Sequence, residues 1–362
     1  MIHDVAIIGA GIAGATLAAE LATDARVLLL EAEDMPGYHA TGRSAAFWSE
    51  TYGGPAIQPL TSASRAAFDA GDFLSPMGSL HIGTAVDGAA MDDFVAAFAD
   101  TDVVLERVDP AMRIPGLRDQ WTLGVWEPSC AYIDVAALHA AALAVARRGG
   151  AVLTTGAALQ AAERRDGVWT LTTRAGSFNA RILVDAAGAW ADPVARIAGA
   201  APIGIAPYRR TMAQLRTDPA APDGLPMVAD IGGGFYFKPE AGGRLWLSPH
   251  DEIPAEPGDA QPEEIDVAVA IDRFEQVLDW RVAAVERRWA GLRSFAPDRR
   301  PVYGYDPTVT GFFWCAGQGG FGIQTAPAAA KVAAALLLER TPDAAIGAID
   351  LEQYSPGRFD QD

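Results

Sequence analysis

Val5-Ala-Ile-Ile-Gly9-Ala-Gly11-Ile-Ala-Gly14-Ala-Thr-Leu-Ala-Ala-Glu-Leu21, followed by Val27-Leu-Leu-Leu30 and Glu31, is the stretch that decides the fold. An apolar run, a glycine turn, a helical stretch and a second apolar run read as strand, turn, helix and strand. Gly9 permits a tight turn, Gly11 lets the backbone approach a pyrophosphate, and Gly14 lets the helix sit close to the sheet. The helix amides and dipole then face the phosphates, and Glu31 stands where an acid holds a ribose hydroxyl. In a chain with 37 glycines a bare GxGxxG carries little weight. With strand, helix and acid all in place it reads as a dinucleotide site, with Ala13 and Ala32 beside it.

Two further glycine loops separate a flavin from a nicotinamide. Ile182-Leu-Val-Asp-Ala-Ala-Gly-Ala-Trp190 is a strand ending in a small-residue turn, where Ala187, Gly188 and Trp190 leave room for a nucleotide. Gln318-Gly-Gly-Phe-Gly-Ile-Gln-Thr325 opens onto the last helix, so Gly319 to Gln324 (Gly320, Phe321, Gly322 and Ile323 between them) would meet the ring end. A helix N-terminus with free amides stabilises the negative charge of a reduced flavin. A nicotinamide half-domain needs neither loop, and FAD is the cofactor expected.

The bulk numbers bound the rest. The 362 residues are half apolar, enough for one large core or two smaller ones. A net charge of −18 argues against a nucleic-acid partner, which needs a basic face. Cys130 and Cys315 stand far apart in no metal-ligand spacing, so neither a disulfide framework nor a metal site is expected, and a reducing cytosol fits. The first strand begins at once, so no signal peptide is expected. No uncharged apolar run reaches the ~20 residues that span a bilayer. A cytosolic protein is expected, with peripheral membrane contact left open.

Along the chain, Tyr38 to Ala46 reads as a turn into a short helix. Helices are expected over Ala90–Ala99, Val135–Arg148, Glu263–Leu278 and Ala326–Leu338. Strands are expected at Gly78–Ile82, Ala151–Thr154, Val168–Thr173, Ala180–Val184, Phe235–Phe237, Arg244–Leu247 and Gly311–Ala316. Glu252 to Pro262 reads as a polar linker. Dinucleotide elements come from the first, middle and last thirds, so a second domain appears inserted twice. The expected division is 1–46, 132–200 and 304–362 for the cofactor, against 47–131 and 201–303 for the substrate.

Several strings, in order, resemble the D-amino-acid oxidase superfamily: the first glycine turn, Gly37-Tyr-His-Ala-Thr-Gly-Arg-Ser-Ala-Ala46, Ala186-Ala-Gly-Ala-Trp190, Trp289-Ala-Gly-Leu-Arg-Ser-Phe295 and Gln318 to Thr325. The likeness covers essentially the whole chain and lies nearest the bacterial D-arginine dehydrogenases. It implies an α/β, two-domain architecture: a Rossmann-like FAD domain of glutathione-reductase type and a substrate domain with a mostly antiparallel sheet. It also implies that FAD is held non-covalently. Ala40, Thr41, Gly42, Arg43, Ser44, Ala45, Ala46 and Ala158 would join the cofactor contacts.

Carried across position by position, Arg210 and Arg293 would clamp a substrate carboxylate, with Tyr52 and Tyr236 as hydroxyl donors. Arginine supplies the fixed bidentate fork that such a group needs. Arg209 is adjacent, and the choice of Arg210 rests on the resemblance. Phe47, Trp48, Ser79, Trp246 and Gly320 would line the substrate pocket.

Two positions depart from the arginine enzyme. Ser79 stands where that enzyme has a glutamate for the cationic side chain, and Phe47 where it has a histidine. A cationic side chain would lose its partner, so neutral, apolar D-amino acids are the expected substrates. The resemblance implies hydride transfer from Cα to flavin N5 and release of an imino acid, which hydrolyses to a 2-oxo acid and ammonia. Oxidases of the superfamily often hold a lysine over the ring; here the matching stretch presents Leu245 or Trp246. An acceptor other than oxygen, a quinone or another carrier, is therefore expected. Sarcosine, glycine or proline are the alternative substrates, and a flavin-binding redox module is the non-enzyme alternative. The oligomeric state is left open.

Overall fold

The structure, a computed structural model, describes residues 1–359. Its first sheet has eight strands, and its centre is the strand Ile2–Ile8. Val27–Leu30 and then Val152–Thr154 pair in parallel on one side of it. On the other side lies Gly176–Asp185, followed in parallel by Phe312–Ala316 and antiparallel by Val302–Tyr305. Leu159–Arg165 and Val168–Thr173 form a meander on the same edge of Gly176–Asp185. The parallel strands are apolar where they cross the middle of the sheet, at Val5–Ile8, Val27–Leu30, Ile182–Val184 and Phe312–Ala316, because both faces are covered there. Helices Ile12–Leu21 and Gly322–Leu337 pack one face, and Ala191–Ile197 with Trp169 packs the other. Alanine-rich helix surfaces let these elements approach closely.

The second sheet has ten strands and is antiparallel except where Met227–Asp230 runs parallel to Ser79–Gly83. Its spine is a long ribbon of Ala206–Asp218 against Arg281–Phe295. Arg244–Ser248 and Tyr236–Glu240 extend the sheet from that ribbon. Helix Glu264–Val277 covers the outer face through Val267, Ala270 and Phe274. A third small sheet joins Phe47–Trp48 and Leu74–Pro76 to Ala131–Ile133. The mixed α/β, two-part architecture expected from the sequence is the one observed.

We propose the division into 1–46, 132–200 and 304–362 against 47–131 and 201–303, residues 360–362 lying outside the described part. Two strands qualify it. Val302–Tyr305 already belongs to the first sheet, and Gln318–Gly319 crosses over to pair with Arg281–Phe295 of the second.

Most expected elements appear within a few residues of their expected bounds, and Val135–Arg148 and Val168–Thr173 match them. Three expectations need correction. Tyr38 to Ala46 is a series of turns with no helix, because Gly42 donates its N–H back to Gly37 and closes the chain on itself. The last helix begins at Gly322, so Pro327 lies inside it rather than at its start. The ladder broken there is mended by Ser64, whose hydroxyl accepts the N–H of Ala328 at 3.1 Å. The polar linker carries a short strand, Ile253–Pro254, paired with Tyr208 and Arg209.

Candidate active site

The glycine turn after the first strand is built as its spacing requires. Gly9 takes φ +99°, and a β-carbon on Gly14 would lie 1.9 Å from the Gly9 carbonyl oxygen, so only glycine closes this turn. Glu31 accepts the Ala10 N–H at 2.8 Å and the Glu33 N–H at 3.0 Å, which fixes the end of the second strand against the turn. The Thr41 hydroxyl accepts the Ile12 N–H, and buried His139 bonds the Ala10 carbonyl at 2.9 Å.

From this turn a cleft of about 470 Å³ runs between the two sheets to Arg210 and Arg293. Along it lie Gly9, Gly11, Ala13, Glu31 and Ala32 at one end, then Ala40, Thr41, Arg43, Ser44 and Ala45. Ala158, Ala187, Gly188 and Trp190 line it from the first sheet; Gly319, Gly320, Gly322 and Ile323 close it at the clamp end. An elongated cleft that starts at a helix N-terminus and ends between two sheets fits a dinucleotide laid along it.

Five expected cofactor residues stay outside. Gly14 and Gly42 close turns. Ala46 lines a separate cavity of about 590 Å³ beyond Ser44. Phe321 packs on Tyr52 and Phe295. Gln324 donates to the Tyr52 carbonyl and to Thr61, both at 2.9 Å.

At the clamp end the two adjacent arginines part company. Arg209 turns to the helix side and pairs with Glu263 and Asp266. Arg210 turns into the cleft and is only 4% exposed. Its Nε donates to the Asp251 carbonyl at 2.5 Å and its Nη2 to Glu252 at 3.3 Å, while Nη1 is buried with no partner. Arg293 donates from Nη1 to the Tyr52 hydroxyl at 2.6 Å. A β-carbon on Gly320 would lie 2.6 Å from that hydroxyl, so glycine keeps the space beside the clamp open. Tyr236 donates its hydroxyl to the Met212 sulfur at 3.1 Å, and Phe47 packs tilted against Tyr52 and edge-on to Tyr236.

Burial pulls the Arg210 guanidinium below its usual range, and Arg293 repels it further. Burial also opposes the charge on Arg293, but Tyr52 and Tyr236 leave it raised overall. A buried donor without a partner, next to a second cation, is a pocket waiting for an anion.

Phe47, Trp48 and Ser79 do not line the cleft. Trp48 is buried against Ile12, Phe68 and Leu138, with its indole N–H on the Thr61 carbonyl. Ser79 faces Glu127. Leu245 faces the opposite core, and Trp246 lies in the second cavity with the Lys238 ammonium 4.2 Å above its ring.

Sequence reasoning missed His250, Glu127 and Lys238. His250 packs edge-on to Tyr236, and burial, with repulsion from Arg210, lowers its pKa to about 3. Its tripeptide context, Ser-Pro-His, carries no signal of that position. Among the described residues no helix is long and apolar enough to cross a membrane.

Known proteins place this architecture. The fold matches the crystal structure of L-proline dehydrogenase from P.horikoshii with a TM-score of 0.87, at 21% identity, covering 99% of this chain and 98% of that one. By sequence, the bifunctional protein ThiO/ThiG of Synechocystis is 29% identical over 250 residues, 68% of this chain and 36% of its own length. Mouse mitochondrial dimethylglycine dehydrogenase is 27% identical over 259 residues, 65% of this chain and 29% of its own length. The chain thus spans about a third of the curated relatives it matches. The model of the FAD dependent oxidoreductases, DAO, matches residues 4–336. A match of that extent decides the question: the chain belongs to the DAO family of FAD-dependent oxidoreductases.

Proposed function

We propose that this protein oxidises D-amino acids with neutral side chains to imino acids, which water converts to 2-oxo acids and ammonia. The observation that carries the reading is the clamp: Arg210 Nη1, buried without a partner, and Arg293 beside it, both on the cleft. The two guanidinium groups would hold the substrate's carboxylate, with the Tyr52 and Tyr236 hydroxyls beside them.

The carboxylates lining the cleft are Glu31 and Glu33, both at the nucleotide end. A cationic side chain at the clamp end would meet Arg210 and Arg293, with Glu252 already engaged by Arg210, which supports neutral substrates. The carboxylates beside Arg210, Asp251 and Glu252, are already held by Thr211, Arg210 and Arg299, so the amine would enter in its neutral form. Phe47, Met212 and Tyr236 would keep water from the α-carbon, and Gly320 leaves it room. When bound, FAD supplies the two-electron acceptor for the Cα–H bond. The D configuration rests on the likeness of the Tyr38–Ala46 and Trp289–Phe295 strings.

The lysine nearest this region, Lys238, lines the second cavity and not the cleft, and its ammonium is engaged by Glu240 and by the rings of Tyr132 and Trp246. That supports an acceptor other than oxygen. The match to dimethylglycine dehydrogenase favours a second reading, oxidation of N-substituted amino acids such as sarcosine or proline.

The test is anaerobic mixing of the yellow holoprotein with D- and L-amino acids, sarcosine and proline, following the flavin band near ~450 nm. Bleaching by neutral D-isomers and not by D-Arg is expected. Bleaching by sarcosine or proline alone selects the second reading, and a best rate with D-Arg overturns the neutral preference. Reduced protein should stay reduced when air is admitted. Arg293→Ala should weaken substrate binding about 10- to 100-fold, the loss of a charge-assisted pair, with FAD affinity little changed. Equal losses of both would make Arg293 structural.

A further inference from the structure

A carboxylate with no place in the clamp lies behind it, fully buried. Glu127 ends the strand Leu123–Glu127, directly opposite Ser79, and has no exposed surface. A lone buried carboxylate is costly, and five donors offset that cost here. Oε1 accepts the Glu50 N–H at 2.7 Å and the Ser129 hydroxyl at 3.3 Å. Oε2 accepts the hydroxyls of Thr51 at 2.7 Å, Ser49 at 2.9 Å and Ser79 at 3.3 Å.

Three of the five donors are consecutive, Ser49 to Thr51, and the next residue is Tyr52. The same turn is gripped from its other side by Gln324, which accepts the Ser49 N–H at 3.3 Å and donates to the Tyr52 carbonyl at 2.9 Å. Tyr52 therefore leaves a turn held on both flanks, and its hydroxyl meets Arg293 at 2.6 Å.

We propose that Glu127 is a positioning residue for the clamp: by holding Ser49 to Thr51 it sets where the Tyr52 hydroxyl meets Arg293. The proposal rests on the reading of Arg293 and Tyr52 as a carboxylate clamp. Its chemistry makes a distinctive pattern. Glutamine keeps an acceptor for the Glu50 N–H, and its amide can donate to two of the three rotatable hydroxyls while Ser49 and Thr51 also bond each other at 3.2 Å. Leucine fills the space but leaves the Glu50 N–H and the hydroxyls without a partner, so the turn must shift.

The experiment measures benzoate, a simple carboxylate, binding to the FAD-loaded protein by calorimetry. E127Q should bind within about threefold of the unaltered protein, and E127L about tenfold more weakly, the scale of one lost buried hydrogen bond. Y52F should lose a similar factor, and the E127L/Y52F double variant should be no weaker than the worse single one, because both act through one hydroxyl. FAD content should be unchanged throughout. Unaltered benzoate affinity in E127L, or losses that multiply in the double variant, overturns the proposal. If E127L does not fold, Ser49→Ala with Thr51→Val releases the same turn and must reproduce its loss; unaltered affinity there also overturns it. Arg293→Lys separates the two readings. Unmoved benzoate binding in R293K overturns the clamp itself, whereas weakened binding in R293K with unmoved binding in E127L overturns only the positioning role.

Discussion

Arg209 and Arg210 are neighbours with opposite fates, because successive side chains on a strand point to opposite faces. One neutralises helix carboxylates and the other reaches the cleft, a choice that depends on register and is invisible in the dipeptide. The same holds for His81 and His250, whose environments and not their sequence contexts set their protonation. His81 packs on Phe94 at 4.4 Å, its Nδ1 is buried without a partner, and burial lowers its pKa to about 4. The unfolded histidine titrates near ~6.5, so between the two values the unfolded chain binds more protons. Stability is then complete above about pH 6.5 and falls as the pH drops toward 4, by about 3 kcal/mol from this residue. His250, lowered to about 3, adds to the same slope. Replacing His81 by Phe keeps the aromatic contact and removes one titrating group. Melting temperatures at pH 7.5 and 4.5 should differ less in H81F than in the unaltered protein; equal differences would show that His81 does not drive the acid loss.

At the scale of elements, local signals were legible and paired ones were not. Val135–Arg148 could be read because its cap Asp134, its basic last turn and its glycine stop are all close in sequence. The ribbon of Ala206–Asp218 with Arg281–Phe295 could not. Its strands carry many arginines, one face is largely solvated, and each is stabilised by a partner some seventy residues away. Both clamp arginines sit on that ribbon, so the site's residues were legible only through the resemblance. The linker from Glu252 shows the same limit. It is a strap, tied to Arg210 and Arg299 through Glu252 and to Arg43 through Asp259, and Gly258 and Ala260 line the cleft. Glu252 shares Arg210 with any incoming carboxylate. Partly exposed ion pairs are worth about 0–1 kcal/mol, so Glu252→Gln should lower KM for the amino acid by up to about fivefold, checked by steady-state kinetics at fixed FAD. A raised KM would mean that the strap orders the clamp rather than competes for it.

For the whole molecule, the decisive fact is that the cleft belongs to neither sheet alone. Its walls come from the opening turn, from the Gly188 turn, from the ribbon carrying Arg210 and Arg293, and from Gly319 to Ile323, whose first residues pair with the second sheet while the helix behind them packs on the first. The glycine motifs announced these pieces in the sequence, but their convergence is a product of topology. A ligand that spans such a seam stabilises both parts together. FAD bound to the folded chain alone adds RT ln(1 + [FAD]/Kd), about 2.7 kcal/mol at a hundredfold excess over Kd. Scanning calorimetry of the apoprotein with rising FAD should therefore move one cooperative transition upward as a whole. Two transitions, with only the lower one moving, would mean that the sheets melt separately and that the cofactor is held by the first sheet without the ribbon. A melting temperature indifferent to FAD would remove the cleft as its site.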